Sequence, residues 1–128
     1  MIINKKISTK AKPRLEDTEQ RAVIRYLKMT YPQALYCASA GGMRTSLKQA
    51  IKMKANGYVA GFPDLFIYEP IGEYYGLAIE MKRVKGGVIS PEQKHWISQL
   101  TKRNFKAVVC YGALDALGVI DKYFKGEA

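Results

Sequence analysis

Two apolar runs joined by a turn-forming segment constrain the fold of this chain more than any other feature. Residues 61–68 (GFPDLFIY) and residues 77–82 (LAIEMK) have the composition of strands, and the segment EPIGE between them is rich in turn formers. We therefore predict a β-hairpin. Because Asp64 and Glu80 are equally distant from Gly72, a hairpin centred there places these two acids side by side.

The charged residues of this hairpin fall on one face. Side chains alternate along a strand, so Glu80 and Lys82 share a face, and the predicted register adds Asp64 to it. Two carboxylates and an ammonium group then converge, which is unfavourable in a folded interior unless a cation binds the carboxylates. The alternative is a half-exposed hairpin whose outer face carries ordinary charged residues.

The spacing of these residues matches a known pattern. Pro63-Asp64, fifteen further residues and then Glu80-x-Lys82 resemble the motif of the PD-(D/E)xK nuclease superfamily. In that superfamily the acidic pair holds Mg²⁺, and the lysine helps to activate the attacking water. The resemblance implies an α/β, restriction-endonuclease-like core, which is a mixed four-stranded sheet flanked by helices.

Further matches extend the resemblance to one branch of that superfamily. The residues concerned are Glu19-Gln20, Gly61-x-Pro63-Asp64, Glu80-x-Lys82 and Ser90-Pro91-Glu92-Gln93. In this order and spacing the set resembles VRR-NUC, the virus-type replication-repair nucleases, over roughly residues 16 to 118. Ala40 stands where related sequences often have an asparagine, so any role of that side chain is absent here.

The resemblance implies a role for each residue of the motif. Asp64 and Glu80, with the backbone carbonyl of Met81, would bind Mg²⁺ or Mn²⁺, which are hard cations that take oxygen ligands. Lys82 would orient the attacking water or deprotonate it. Because two nearby carboxylates favour its charged form, we expect orientation and charge stabilisation rather than general-base catalysis.

Two further polar residues have more than one interpretation. Glu19 lies on the apolar face of the first predicted helix, four residues before Val23, and would complete the metal shell directly or through water. A first-turn acid stabilised by the helix dipole is the alternative, and it suits Glu16 as well. Gln93 would position Lys82 or the scissile phosphate, or would complete a capping box at the start of its helix.

The net charge of +10 indicates a polyanionic partner, and nucleic acid fits it. An acidic membrane surface is the competing interpretation, but no helical stretch combines a basic face with bulky apolar residues as membrane binding requires. The predicted phosphate contacts are Arg44, Lys48, Lys52, Lys54, Arg83 and Lys85, the alternative being a solvated face.

Residues 1–14 carry five basic side chains and are expected to form a flexible basic arm or a solvated tail before a single nuclease domain at residues 15–128.

The remaining composition narrows the class of protein. No apolar run is as long as a membrane span or a signal sequence, so we expect a cytoplasmic protein. Cys37 and Cys110 lie in predicted strands without metal-ligand spacing, so we expect buried free thiols. His95 is the one histidine, which excludes nuclease designs that need several, and we expect it on the exposed side of a helix.

The predicted order of elements is α-β-(α)-β-β-α-β-α. The first helix is predicted from Asp17 or Thr18, with Asp17 as its cap, and the first strand covers residues 33–39. A second helix is predicted from Thr45 or Ser46 to residues 56–57, with its apolar residues facing inward, namely Leu47, Ala50 and Ile51. The last helix covers residues 113–124 and follows a strand that a right-handed crossover makes parallel to the Glu80 strand.

The resemblance also bears on function. Family members that stand alone resemble homodimeric resolvases of four-way (Holliday) DNA junctions, so we expect a metal-dependent, structure-specific DNA endonuclease that acts as a homodimer. The alternatives are a general nuclease, a nuclease of flaps and other repair intermediates, and a DNA-binding module that does not cleave. Val119 and Tyr123 on the last helix form either dimer surface or core.

Overall fold

A computed structural model describes residues 15–39 and 46–128, without the side chains of residues 15 and 16. The predicted arm at residues 1–14 and the predicted phosphate contact Arg44 therefore lie outside the described residues. The helices and strands of the described part are α1 (Leu15–Thr30), β1 (Tyr36–Ala38), α2 (Leu47–Ala55), β2 (Leu65–Ile67), β3 (Leu77–Lys82), α3 (Pro91–Lys102), β4 (Lys106–Tyr111) and α4 (Ala113–Phe124).

The strands form a mixed four-stranded sheet in the order β1-β2-β3-β4. The pairs β1–β2 and β2–β3 are antiparallel, whereas β3 and β4 are parallel and connected through α3. The predicted fold class and the predicted parallel last strand are therefore confirmed. Strand β1 is shorter than the predicted residues 33–39, because its partner β2 has three residues and the ladder ends where β2 ends.

Local side-chain caps start two of the helices. Ser46 caps α2 and Ser90 caps α3, each through a capping box with the glutamine three residues later. The predicted box at Ser90 is confirmed. The predicted cap at Asp17 is wrong, because α1 begins at Leu15 and places Asp17 inside the first turn, where the helix dipole favours an acid.

The sheet packs between helices on both faces. One face packs against α1 and α4 and forms the main apolar core, whose largest members are Tyr123, Leu27, Leu65, Ile67, Leu77, Ile79, Met81, Ile120 and Val23. The other face packs against α3 through a smaller cluster of Phe66, Ala78 and Leu100, with Trp96 and Phe105 beside it. The alternation predicted for β3 is confirmed, since its odd-numbered residues lie in the first core.

Helix α2 departs from the prediction. Leu47 and Ile51, expected to face inward, are 79% and 60% exposed, and none of the residues of α2 is buried. The physical reason is that α1 and α4 already cover one face of the sheet and α3 covers the other. Helix α2 therefore lies outside the two packed layers.

Two further predictions concern burial, one for the cysteines of the sheet and one for residues of α4. Cys110 is buried as expected, but Cys37 is exposed because β1 is a short edge strand. Tyr123 is fully buried and Val119 is half-buried against the same core, so Tyr123 is core and does not form dimer surface.

None of the described helices has both the length and the apolar composition needed to cross a membrane.

Candidate active site

The two acids of the motif meet across the hairpin. Leu65 pairs with Ile79 and Phe66 with Ala78, so one further step of the same register sets Asp64 opposite Glu80. This predicted register is confirmed. The Met81 N–H donates to Oδ2 of Asp64 at 2.8 Å, which holds the carboxylate against β3.

Glu80 and Lys82 are the buried charged residues of the described chain, with 3% and 8% of their surfaces exposed. Lys82 Nζ lies 3.5 Å from Glu80 Oε2. The Gln93 amide Nε2 donates to the same Glu80 oxygen at 2.8 Å, while its Oε1 accepts from the Ser90 N–H at 2.9 Å. Gln93 thus completes the capping box of α3 and contacts the acidic pair with one side chain.

Burial shifts the protonation of this acidic pair. Burial, then repulsion from Asp64 and hydrogen bonding with Asp64, raise the pKa of Glu80 to about 8 against the lowering effect of Lys82. A carboxyl group in this position therefore resists ionisation. A bound cation would relieve the repulsion between the two acids.

Two glycines allow the surrounding backbone to approach the site. Gly61 has a φ of +94°, and a Cβ there would lie 2.6 Å from the backbone of Glu92 in the first turn of α3. A Cβ on Gly87 would lie 2.8 Å from the Cβ of Lys82. The start of α3 and the loop after β3 can therefore lie close to the charged residues, because these positions have no side chain.

Glu19 lies at the carboxyl end of β3 and β4, but its observed partner is the backbone of α4. Its Oε1 accepts from the Ala113 N–H, and the adjacent Gly112 N–H donates to the Lys82 carbonyl at 2.9 Å. Among the residues that the structure describes, no group of three or more acidic, histidine or cysteine side chains is arranged to hold a metal. The structure thus brings Asp64 and Glu80 together without Glu19, and the Glu16 side chain is outside the described part.

The donor set at Asp64 and Glu80 fits a hard divalent cation. The N–H and the C=O of one strand residue point to the same side of the strand. Because the Met81 N–H binds Asp64, the Met81 carbonyl is directed towards the same side as that carboxylate. Two carboxylates and a carbonyl are oxygen ligands of the kind that Mg²⁺ and Mn²⁺ take.

The basic residues proposed for phosphate contact lie on the surface. The exposed set is Lys48, Lys52 and Lys54 on α2, with Arg83 and Lys85 in the loop after β3. None of them forms an ion pair with a residue in the described ranges. Arg83 donates to the Gly86 carbonyl at 3.3 Å, which shapes its own loop.

One residue at this site was not identified from the sequence. Tyr111, the last residue of β4, pairs in register with Lys82 and is 41% exposed. The register of the predicted parallel strand was the signal that could have identified it, since that register decides which β4 residue lies beside the lysine.

Comparison with known proteins agrees with this fold and motif. The family model of the VRR-NUC domain matches residues 5–114. A solved structure described as a VRR_NUC domain protein superposes with a TM-score of 0.74 and 31% sequence identity, over 88% of this chain and 90% of that one. No curated protein sequence matches significantly. The chain therefore belongs to the VRR-NUC family, and its fold is that of a nuclease domain.

Proposed function

We propose that the protein is a metal-dependent, structure-specific DNA endonuclease that resolves four-way junctions as a homodimer in the cytoplasm. One observation carries the proposal, namely that Asp64, Glu80 and Lys82 converge at the end of an otherwise apolar strand pair. Burying such charges is unfavourable for folding. A catalytic use of the charges explains why the fold contains them.

Asp64 and Glu80, with the Met81 carbonyl, would hold the divalent cation. When bound, Mg²⁺ or Mn²⁺ lowers the pKa of a water and stabilises negative charge on the phosphate. Lys82, fixed 3.5 Å from Glu80, orients the attacking water and stabilises charge on the scissile phosphate. Glu19 is proposed to reach the cation through water, in competition with its bond to the Ala113 N–H.

Gln93 is proposed to position the acidic pair rather than to contact the substrate. Its Nε2 donates to Glu80 and its Oε1 is held by the Ser90 N–H, so the amide is fixed at both ends. This arrangement restricts the Glu80 side chain to one orientation. A preorganised carboxylate needs less rearrangement when the site binds its cation and substrate.

DNA is the proposed substrate because the domain is a nuclease domain and the net charge is +10. The exposed basic residues of α2 and of the loop after β3 are proposed to contact phosphates, as is Arg44. Phosphate contacts carry no base information, so the shape of the DNA would supply specificity. A four-way junction has two equivalent strands, and a two-fold dimer supplies two equivalent sites.

A nicking assay with a mass measurement tests the proposal. The protein is incubated with a four-way junction and with linear duplex of the same sequence, with Mg²⁺, with Mn²⁺ or with a chelator. We expect paired, symmetric nicks in the junction, dependence on the cation, and a dimer by light scattering. A monomer that cuts junctions, flaps and duplex equally is a general nuclease. Binding without cleavage under all conditions identifies a module that does not cleave.

A further inference from the structure

Tyr111 lies on the same face of the sheet as the charged residues of the site. Tyr111 of β4 pairs with Lys82 of β3, and paired residues of parallel strands point to the same face. Four residues earlier on β4, Ala107 packs into the same apolar cluster as its partner Ala78. The alternation along both strands therefore places the Tyr111 ring beside Lys82.

The Tyr111 side chain is exposed, whereas the backbone that supports it is held firmly. Its N–H donates to Oδ2 of Asp115 at 2.9 Å, and the next N–H, from Gly112, donates to the Lys82 carbonyl. Within the described ranges its hydroxyl has no hydrogen-bond partner and its ring forms no aromatic pair. A rigid strand end thus presents a free aromatic ring next to the site.

Val84 is a second exposed apolar residue near this end of the sheet, beside Gly112 and Glu19. A Cβ on Gly112 would lie 2.7 Å from Val84 Cγ2, so the valine lies directly against the residue after Tyr111. Val84 is 68% exposed and Tyr111 is 41% exposed. Exposed apolar side chains therefore lie near the charged residues, together with the exposed carboxylate of Asp115.

We propose that the Tyr111 ring forms a base-binding shelf on which an unstacked nucleobase next to the scissile phosphate rests. The inference builds on the proposed nuclease function and names the feature of the substrate that the site selects. Phosphates are bound by lysine and arginine, whereas a nucleobase stacks on an aromatic ring. The bases of an intact duplex stay stacked on one another, so the shelf favours a branch or flap where stacking is interrupted.

Binding measurements test the shelf without depending on cleavage. Fluorescence anisotropy measures the affinity for branched DNA with one unpaired nucleotide at the branch and for matched DNA in which that nucleotide is abasic. A metal chelator is present so that the DNA is not cleaved. A nucleobase loses its stacking partner when the ring is removed, so Tyr111→Ala should weaken binding to the base-containing DNA roughly tenfold, which corresponds to about 1.4 kcal/mol. The same substitution should leave binding to the abasic DNA unchanged, and Tyr111→Phe should bind both like the wild type.

Tyr75→Ala is the matched control. Tyr75 is 62% exposed and lies just before β3, at the end of the strand opposite Lys82, so its loss should change neither affinity. Equal losses on both DNAs, or a Tyr111→Phe variant as weak as Tyr111→Ala, overturn the shelf. Wild-type protein that prefers the base but does not nick DNA with Mg²⁺ or Mn²⁺ retains the shelf and refutes the nuclease proposal. Wild-type protein that nicks DNA but binds the base-containing and the abasic DNA equally refutes the shelf and retains the nuclease proposal.

Discussion

The two faces of one sheet bury different kinds of side chain. The face against α1 and α4 is apolar across its width, from Leu65 and Ile67 to Met81. The face against α3 has a small apolar cluster around Phe66, followed by the charged groups of Glu80 and Lys82. The first face stabilises the fold, and this stability allows the second to hold charges whose burial is unfavourable.

Strand β3 serves both faces at once. Leu77, Ile79 and Met81 enter the larger core, while Glu80 and Lys82 alternate with them on the other face. The charged pair is at the carboxyl end of the strand, beyond the residue that pairs with Leu65 at the start of β2. Because neighbouring residues of β3 face opposite sides of the sheet, substitutions at adjacent positions should alter either the stability of the fold or the proposed cleavage activity, but not both.

Two acids show the same contrast in their protonation. Hydrogen bonds from the Tyr31 and Tyr26 hydroxyls lower the pKa of Asp121, which joins α4 to α1 at the edge of the larger core. Burial raises the pKa of Glu80 on the opposite face. Asp121 accepts hydrogen bonds from two hydroxyls, whereas Glu80 lies beside another carboxylate. Ionisation of Asp121 should therefore stabilise the fold as pH rises, and ionisation of Glu80 should destabilise it.

The largest expected effect is the loss of cleavage in Glu80→Gln. Removing one charge from the acidic pair should lower the nicking rate by roughly a thousandfold, of the order seen for loss of a principal electrostatic group. The metal-free variant should nevertheless be more stable than the wild type at pH values above the ordinary glutamate pKa of 4.5, with the full difference reached above about pH 8. The raised pKa means that the folded state disfavours the ionised Glu80 carboxylate. The free-energy penalty of ionising Glu80 is therefore absent in acid and complete above about pH 8.

Nicking rates and urea unfolding across pH check both parts of this expectation. Glu73→Gln, an exposed acid in the hairpin turn, is the control and should change neither quantity. A Glu80→Gln variant that cuts at the wild-type rate would remove the acidic pair from the proposed mechanism.

Ile79→Ala alters the adjacent residue on the other face. Ile79 is fully buried, so its truncation should lower the free energy of unfolding by about 2–5 kcal/mol. At temperatures where the variant stays folded, its nicking rate should remain near that of the wild type. Leu114→Ala, at a residue 84% exposed, should change stability by less than about 0.5 kcal/mol. Lost cleavage in fully folded Ile79→Ala would contradict the separation of the two faces.

A smaller effect is expected for Asp121→Asn. The loss of charge-assisted hydrogen bonds to the tyrosines should lower the free energy of unfolding by on the order of 1 kcal/mol near neutral pH. Because the folded-state pKa of Asp121 is lowered, its contribution is present above its ordinary value and disappears as pH falls through the folded-state value. Unfolding of both proteins near pH 7 and near pH 3 should show the difference shrinking in acid; a difference that grows there would refute this account.

The smallest effect per residue is expected for the exposed lysines of α2. Each phosphate contact contributes roughly 0.9 to the slope of log K against log salt on duplex DNA, so Lys48→Gln with Lys52→Gln should flatten the slope by roughly two units. The paired substitutions Lys28→Gln and Lys122→Gln, exposed residues on α1 and α4, are the control. A slope unchanged by the α2 substitutions would make that helix a solvated surface.

Local patterns determined much of this protein from the sequence alone. The equal distances of Asp64 and Glu80 from Gly72 set the hairpin register, and the Ser90 capping box set the start of α3. The last helix occupies the predicted residues 113–124. These features depend on strand alternation, turn composition and hydrogen bonds between residues a few positions apart, all of which can be read along the chain.

Only the tertiary structure decided which apolar faces are covered and which partners distant groups find. Leu47 and Ile51 have helical spacing yet remain exposed, because other helices already cover both faces of the sheet. Glu19 binds the start of α4, and Tyr111 is exposed beside Lys82, through contacts between residues far apart in sequence. A hydrophobic period marks one side of a helix or strand, but packing in three dimensions determines what lies against that side.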